Sequence, residues 1–216
     1  MCHNQTVSWL TEGDWQRVRE VLAGVRSPVR LILFTQSIDC HDCLSARQLL
    51  DEVVLLSDNL TFVEYDLVFD VEQVRSYGVD KAPAIVIVGE EDTGIRFIGR
   101  PAGYEFSSLI DGILLASSGC SGLSEESREI LATVTAPLHI RVFVTPTCPD
   151  CCRVVGLAQR MALENSNIIT SVVDATVFPD LVRKYHITGV PKTVVNNGAE
   201  ILGAQPEELF VRQVLP

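Results

Sequence analysis

Three landmarks recur at one spacing along this 216-residue chain. Cys40 and Cys148, Cys43 and Cys151, and Pro83 and Pro191 are each separated by 108 positions. A common offset at three places marks an internal repeat, so the chain should fold as two similar units. Each has about 100 residues, within the usual range for a domain. The join falls in Ser117-Ser118-Gly119-Cys120-Ser121-Gly122, a small and flexible stretch, which predicts domains over 1–118 and 119–216.

The hydrophobic pattern gives both units the order β-α-β-α-β-β-α. In the first, strands are expected at 29–34, 59–67, 84–88 and 95–99, with a turn over 90–94. Helices are expected at 44–56, 71–77 and 103–116. In the second, strands fall at 140–144, 167–174, 192–195 and 200–202, and helices at 152–165, 178–185 and 206–215. An added helix precedes each unit: 8–24, which Thr11 can cap, and 125–134, capped by Ser124. Asn197-Gly198 reads as a hairpin turn.

Each C-x-x-C lies where a strand ends and a helix begins. That is a suitable place for dithiol redox chemistry. The strand holds the loop. The helix N-terminus turns free N–H groups and a partial positive charge toward the first sulfur, which favours its thiolate. One helical turn brings the second sulfur within reach of the first.

Net charge is −11, from 17 basic and 28 acidic residues spread along the chain. Nucleic acid and anionic membrane surfaces are therefore not expected partners. No run reaches 18 apolar residues, so no membrane span is expected. The N-terminus lacks a basic start and a continuous apolar core, which predicts a cytoplasmic location rather than export. In that compartment paired cysteines point to redox catalysis or metal binding before structural disulfides.

Other readings compete with the redox one. Two C-x-x-C pairs can build a Cys₄ zinc site, but the usual gap between pairs is ~15–20 residues. Here the gap is far longer, and each pair has its own helix and proline. A structural disulfide at each pair is the other alternative. Of the remaining cysteines, Cys2 is read as a terminal thiol, Cys120 as an inert linker residue and Cys152 as a packed small residue. His3, His139 and His186 have no ligand spacing and are expected at the surface or at strand edges.

In each half a proline lies 43 positions after the first cysteine, in Lys81-Ala82-Pro83-Ala84 and Gly189-Val190-Pro191-Lys192. With the segments 142–149 and 99–106, these motifs make each half resemble a thioredoxin fold. The pair resembles the two-domain protein disulfide oxidoreductases of thermophiles, also called glutaredoxin-like. The likeness runs from about Leu31 to the C-terminus. It implies an α/β protein of two tandem thioredoxin-like folds, each a mixed sheet flanked by helices. Cys40 and Cys148 would be nucleophiles, and Cys43 and Cys151 resolving thiols. Pro83 and Pro191 would be cis, with Ala82 and Val190 before them offering backbone to an extended substrate. Electrons would pass through sulfur, with no organic cofactor. The substrates would be protein disulfides and the electron source an NAD(P)H-dependent flavoprotein reductase. The alternative is a dithiol electron-carrier module for a peroxide-reducing system. It would resemble the two-fold N-terminal region of alkyl hydroperoxide reductase flavoproteins, in which only one half keeps C-x-x-C.

The intervening dipeptides, His41-Asp42 and Pro149-Asp150, are the expected tuners of potential. The resembled family often has an aromatic residue where Asp42 and Asp150 stand. A carboxylate beside a sulfur disfavours its thiolate and makes the couple more reducing. Asp39 adds to this before Cys40, and His41 in its charged form would partly offset it. The strands before the sites carry Phe34, Val142 and Phe143, with no carboxylate to take the proton of a resolving thiol. Glu64, Asp66 and Asp174 on neighbouring strands are the candidates.

Overall fold

A computed structural model of the protein describes residues 11–196 and 198–215. The fold grows from strands that are apolar on both faces. In β1 (Val29–Thr35), Leu31 and Leu33 point to one side of the sheet and Ile32 and Phe34 to the other. Such doubly buried strands need helices above and below them. The first half supplies α1 (Glu12–Leu22), α2 (Cys43–Val54), β2 (Leu60–Asp66), α3 (Val71–Tyr77), β3 (Ala84–Val88), β4 (Asp92–Ile98) and α4 (Tyr104–Ser118). The second supplies α5 (Glu125–Ala132), β5 (Leu138–Val144), α6 (Cys151–Glu164), β6 (Ile168–Asp174), α7 (Pro179–Lys184), β7 (Lys192–Val195), β8 (Glu200–Leu202) and α8 (Glu207–Val214). Thr11 and Asp14 form a reciprocal capping box at the start of α1.

The strands form one sheet in the order β2-β1-β3-β4-β6-β5-β7-β8. Within each half the first two strands are parallel and the rest antiparallel. The halves join where β4 runs parallel to β6, from Ile95 opposite Thr170 to Ile98 opposite Val173. Gly94 (φ +74°) allows this approach, because a Cβ there would overlap the Ile168 carbonyl oxygen. On one face α4 packs on α6, and Gln159 Nε2 donates to the Ser108 carbonyl over 3.1 Å. That face holds the larger core, while α3 and α7 cover the other.

The repeat is not uniform. Val29 pairs with Leu60 and Leu138 with Ile168, so the first strands are offset by 109 while the second strands keep 108. The loop from β1 to Cys40 is therefore one residue longer than that from β5 to Cys148, and Asp39 occupies the left-handed region at φ 57°. Strand β4 starts at Asp92, inside the expected turn, because Val88 pairs with Asp92 across a register shift. Asp92 then holds Arg96 through both terminal guanidinium nitrogens, at 2.8 and 2.6 Å. His139 is half-buried, and it is not on an edge strand. Strand β5 lies between β6 and β7, and His139 Nε2 is 2.8 Å from Ser171 Oγ. Burial, with Arg141 and Arg96 nearby, pushes its pKa down to about 3. Cys2, His3 and Asn197 lie outside the described residues.

Candidate active sites

Each C-x-x-C is closed as a disulfide, Cys40–Cys43 and Cys148–Cys151, with Cα atoms 5.4 and 5.5 Å apart. The sulfurs of each pair are not equivalent. Cys40 and Cys148 are partly exposed, whereas Cys43 (8 %) and Cys151 (2 %) are buried as the first residues of α2 and α6. Asp42 and Asp150 are the N-cap residues, yet neither side chain caps its helix, and neither helix has an acidic residue in its first turn. The helix N–H groups are thus left for the sulfurs.

The peptide bonds before Pro83 and Pro191 are both cis. The Pro83 and Pro191 carbonyls accept from Gly99 N and Gly203 N, each at 2.9 Å, which ties both prolines to the sheet. Ala82 and Pro83 share with Cys40 and His41 a cleft of about 730 Å³ between the halves. Its far wall is Pro146, Asp174, Val177 and Phe178. The cleft therefore runs from the first site to the loop that carries Cys148.

Gly103 fixes that loop. It lies at φ 54°, and a Cβ there would overlap the Pro146 carbonyl oxygen, which accepts from Tyr104 N at 3.0 Å. Gly103→Ala is expected to destabilise the protein by about 1–3 kcal/mol. That corresponds to roughly 2–10 °C in Tm for a chain of this size. Thermal unfolding checks the loss, and faster alkylation of reduced Cys148 than of Cys40 would register the loosened loop.

The two Asp residues differ in surroundings. Asp42 Oδ1 lies 3.8 Å from Arg100 Nε, which offsets its charge. Asp150 is exposed and makes no ion pair among the described residues. Of the proposed proton acceptors, Glu64 is engaged by Arg47 (2.9 Å) and by Thr35 Oγ1 (3.1 Å). Asp66 accepts from Val68 N and Phe69 N. Asp174 is buried and accepts from Thr176 N and Oγ1 at 2.8 and 2.6 Å.

An acid outside that set is Glu105, in the first turn of α4. It is buried, and its Oε1 makes no hydrogen bond among the described residues. Burial, then the nearby Asp174, raise its pKa to about 8, while Arg100 works the other way. Tyr104, its neighbour, bonds both to Pro146 and, through its carbonyl, to Cys152 Sγ at 3.3 Å. The start of α4 thus meets the loop and helix of the second site, where Cys152 is a packing contact, while Arg100 and Asp174, the charges that act on Glu105, line the Cys40 cleft. The sequence does carry a signal for Glu105. It shares a helical stripe with Leu109, Gly112 and Ile113, which is the buried face of α4.

The thioredoxin domain family matches residues 138–216. A protein disulfide oxidoreductase from Aeropyrum pernix is 28% identical, with a TM-score of 0.89 over 96% of this chain and 93% of that one. A structure of an alkyl hydroperoxide reductase component from Enterococcus faecalis also gives 0.89, at 25% identity over 96% of this chain and 100% of that one. Among sequences, the corresponding alkyl hydroperoxide reductase component of Staphylococcus epidermidis is 29% identical over 163 residues. That is 76% of this chain but 30% of the relative, so the chain spans about a third of the length of the curated relatives it matches. No helix among the described residues is long and apolar enough to cross a membrane.

Proposed function

From the premise that the chain belongs to the thioredoxin superfamily, as a thiol–disulfide oxidoreductase with a C-x-x-C site in each of two fused folds, we propose that both sites act on protein disulfides. The observation that carries this reading is the repeated asymmetry of the pairs. In each, a reachable sulfur precedes a buried one at an uncapped helix start. Reduced Cys40 or Cys148 attacks a substrate disulfide as the thiolate, forming a mixed disulfide and expelling one substrate thiolate. Cys43 or Cys151 then closes the protein disulfide and releases the second thiolate. Two electrons pass to the substrate in each cycle, through sulfur alone. Ala82 and Val190, next to Pro83 and Pro191, supply backbone to the substrate segment.

Glu105 lies buried at the start of α4, where the Tyr104 carbonyl meets Cys152 beside Cys151, and we assign it the proton of Cys151, because a carboxyl with a pKa near neutrality can both accept and return it. Electrons would be restored by an NAD(P)H-dependent flavoprotein reductase, in the cytoplasm. A second reading is favoured by the relatives named for alkyl hydroperoxide reductase. In it the chain is a dithiol carrier between such a flavoprotein and a peroxidase. Reduction of insulin with dithiothreitol as electron source separates the two. Efficient turnover supports the first, and activity confined to a coupled peroxide assay supports the second.

Tuning by the intervening residues has its own test. Asp150 is an uncompensated carboxylate two residues from Cys148. Asp150→Tyr is expected to favour the Cys148 thiolate and raise the potential of that pair by roughly 10 mV. Equilibration with glutathione buffers measures it, and an unchanged potential would remove Asp150 from this role.

A further inference from the structure

The surroundings of Cys40 and Cys148 differ at the positions where a substrate would lie. Asp66 draws two loops together beside Cys40. Its Oδ1 accepts from Val68 N at 2.8 Å and Phe69 N at 3.2 Å, and its Oδ2 lies 3.5 Å from Ser37 Oγ. Leu67 N also donates to the Thr35 carbonyl, over 2.8 Å. The two loops so joined, one of which leads into Cys40, both carry solvent-facing apolar side chains. Ile38 is 76%, Val68 66% and Phe69 80% exposed. Side chains this large and this exposed, on two joined loops of which one runs into a reactive cysteine, make a surface for a partner.

The cleft on the other side of Cys40 is lined by more acids than strong cations, Asp39, Asp42, Asp80 and Asp174 against Lys81 and Arg100. Its two strong cations are already matched, Lys81 by Asp180 at 2.5 Å and Arg100 by Asp42 at 3.8 Å. Asp39 and Asp80 also line it, both exposed and neither in an ion pair among the described residues. They are left to meet a cation from outside.

The second site is built differently: its exposed, unpaired acid is Asp150, inside the C-x-x-C, and the large exposed side chain at its loop is Tyr104 at 47%. Its counterparts to Val68-Phe69 are Thr176-Val177, of which Val177 is half-buried in the wall of the Cys40 cleft. The counterpart of Asp80 is Thr188, and Thr147 stands before Cys148 where Asp39 stands before Cys40.

We propose that the Cys40 site selects protein segments in which a basic residue and a large apolar residue flank the reacting cysteine. Asp39 and Asp80 receive the basic residue, and Ile38, Val68 and Phe69 receive the apolar one. The inference rests on the thiol–disulfide exchange assigned above and adds the substrate class of one site.

The test uses two single-site forms of the full chain, Cys148→Ser/Cys151→Ser and Cys40→Ser/Cys43→Ser. Their substrates are homodisulfides of a short Cys peptide that differ only in the flanking residues, Arg, Gln or Glu. Dithiothreitol returns the two electrons used per disulfide. With Cys40 active, kcat/KM for the Arg peptide should exceed that for the Glu peptide by about fivefold at low salt. The ratio should fall toward one in high salt. Asp39→Asn/Asp80→Asn should remove the preference, whereas Glu90→Gln/Glu129→Gln, an equal charge change elsewhere on the surface, should keep it. Phe69→Ser should slow a peptide with Leu beside its cysteine more than one with Ser there. Equal rates for Arg and Glu peptides, a preference equally strong at the Cys148 site, or one that survives Asp39→Asn/Asp80→Asn would overturn the proposal while leaving the exchange reaction intact. Failure of both forms to reduce any peptide or insulin would instead count against the exchange reading itself.

Discussion

Serine at both Cys40 and Cys148 is expected to abolish protein disulfide reduction, while either serine alone leaves the other site turning over. A serine hydroxyl stays protonated at neutral pH, so it cannot replace the attacking thiolate. The two pairs close separately within their own halves, so neither needs the other to complete a cycle. Insulin reduction by the two single variants and the double variant reads this directly. Full activity in the double variant would dismiss both assignments. The roles within a pair are distinguished by trapping. In a Cys148→Ser background, Cys43→Ser should accumulate a mixed disulfide between Cys40 and substrate, seen by non-reducing mass analysis. Cys40→Ser in that background should not.

The second large effect concerns Glu105. Unfolded, its carboxyl titrates near 4.5; folded, it keeps its proton to about 8. Below pH 4.5 both states are protonated and Glu105 adds no pH dependence. Between 4.5 and about 8 the unfolded chain releases a proton that the folded protein retains. Stability therefore falls as pH rises through this window, by up to about 5 kcal/mol. Glu105→Gln has no proton to lose. Its stability curve should be flatter there, and it should be more stable than the parent at about pH 9 with little difference near pH 4.5. Denaturant unfolding at the two pH values checks this. Parallel curves for parent and variant would show that Glu105 is not held protonated. In the form that keeps only the Cys148 pair, the same variant should also lose the pH dependence of turnover around pH 8.

Much of this protein is readable before folding. The elements follow from apolar runs and helical stripes, and most ends fall within a few residues of expectation. The start of β4 at Asp92 is not readable, because it depends on a bulge opposite Val88 and on the Arg96–Asp92 pair. His139 escapes for a similar reason. Its sequence neighbours do not reveal that β5 lies inside an eight-stranded sheet, with Ser171 opposite the ring. Glu105 follows Gly103 and Tyr104 at a helix start, where an acid ordinarily serves the helix dipole. Its place on the apolar stripe of α4 hints otherwise, and the packing of α4 between the sheet and α6 removes it from water.

By itself, then, the sequence determined the chemistry and the repeat. A C-x-x-C at a strand-to-helix junction and a proline at constant spacing are local patterns, set by a few neighbouring residues. The tertiary structure decided how the two copies differ. Pairing β4 with β6 brings Asp174 of the second half near the buried Glu105 of the first. It also half-buries Val177 in the wall of the Cys40 cleft, while Phe69, its counterpart in the first half, stays in solvent. Which strand edges meet is settled by contacts between residues about 75 positions apart. No local periodicity encodes those contacts, so two nearly equivalent motifs acquire unlike surroundings.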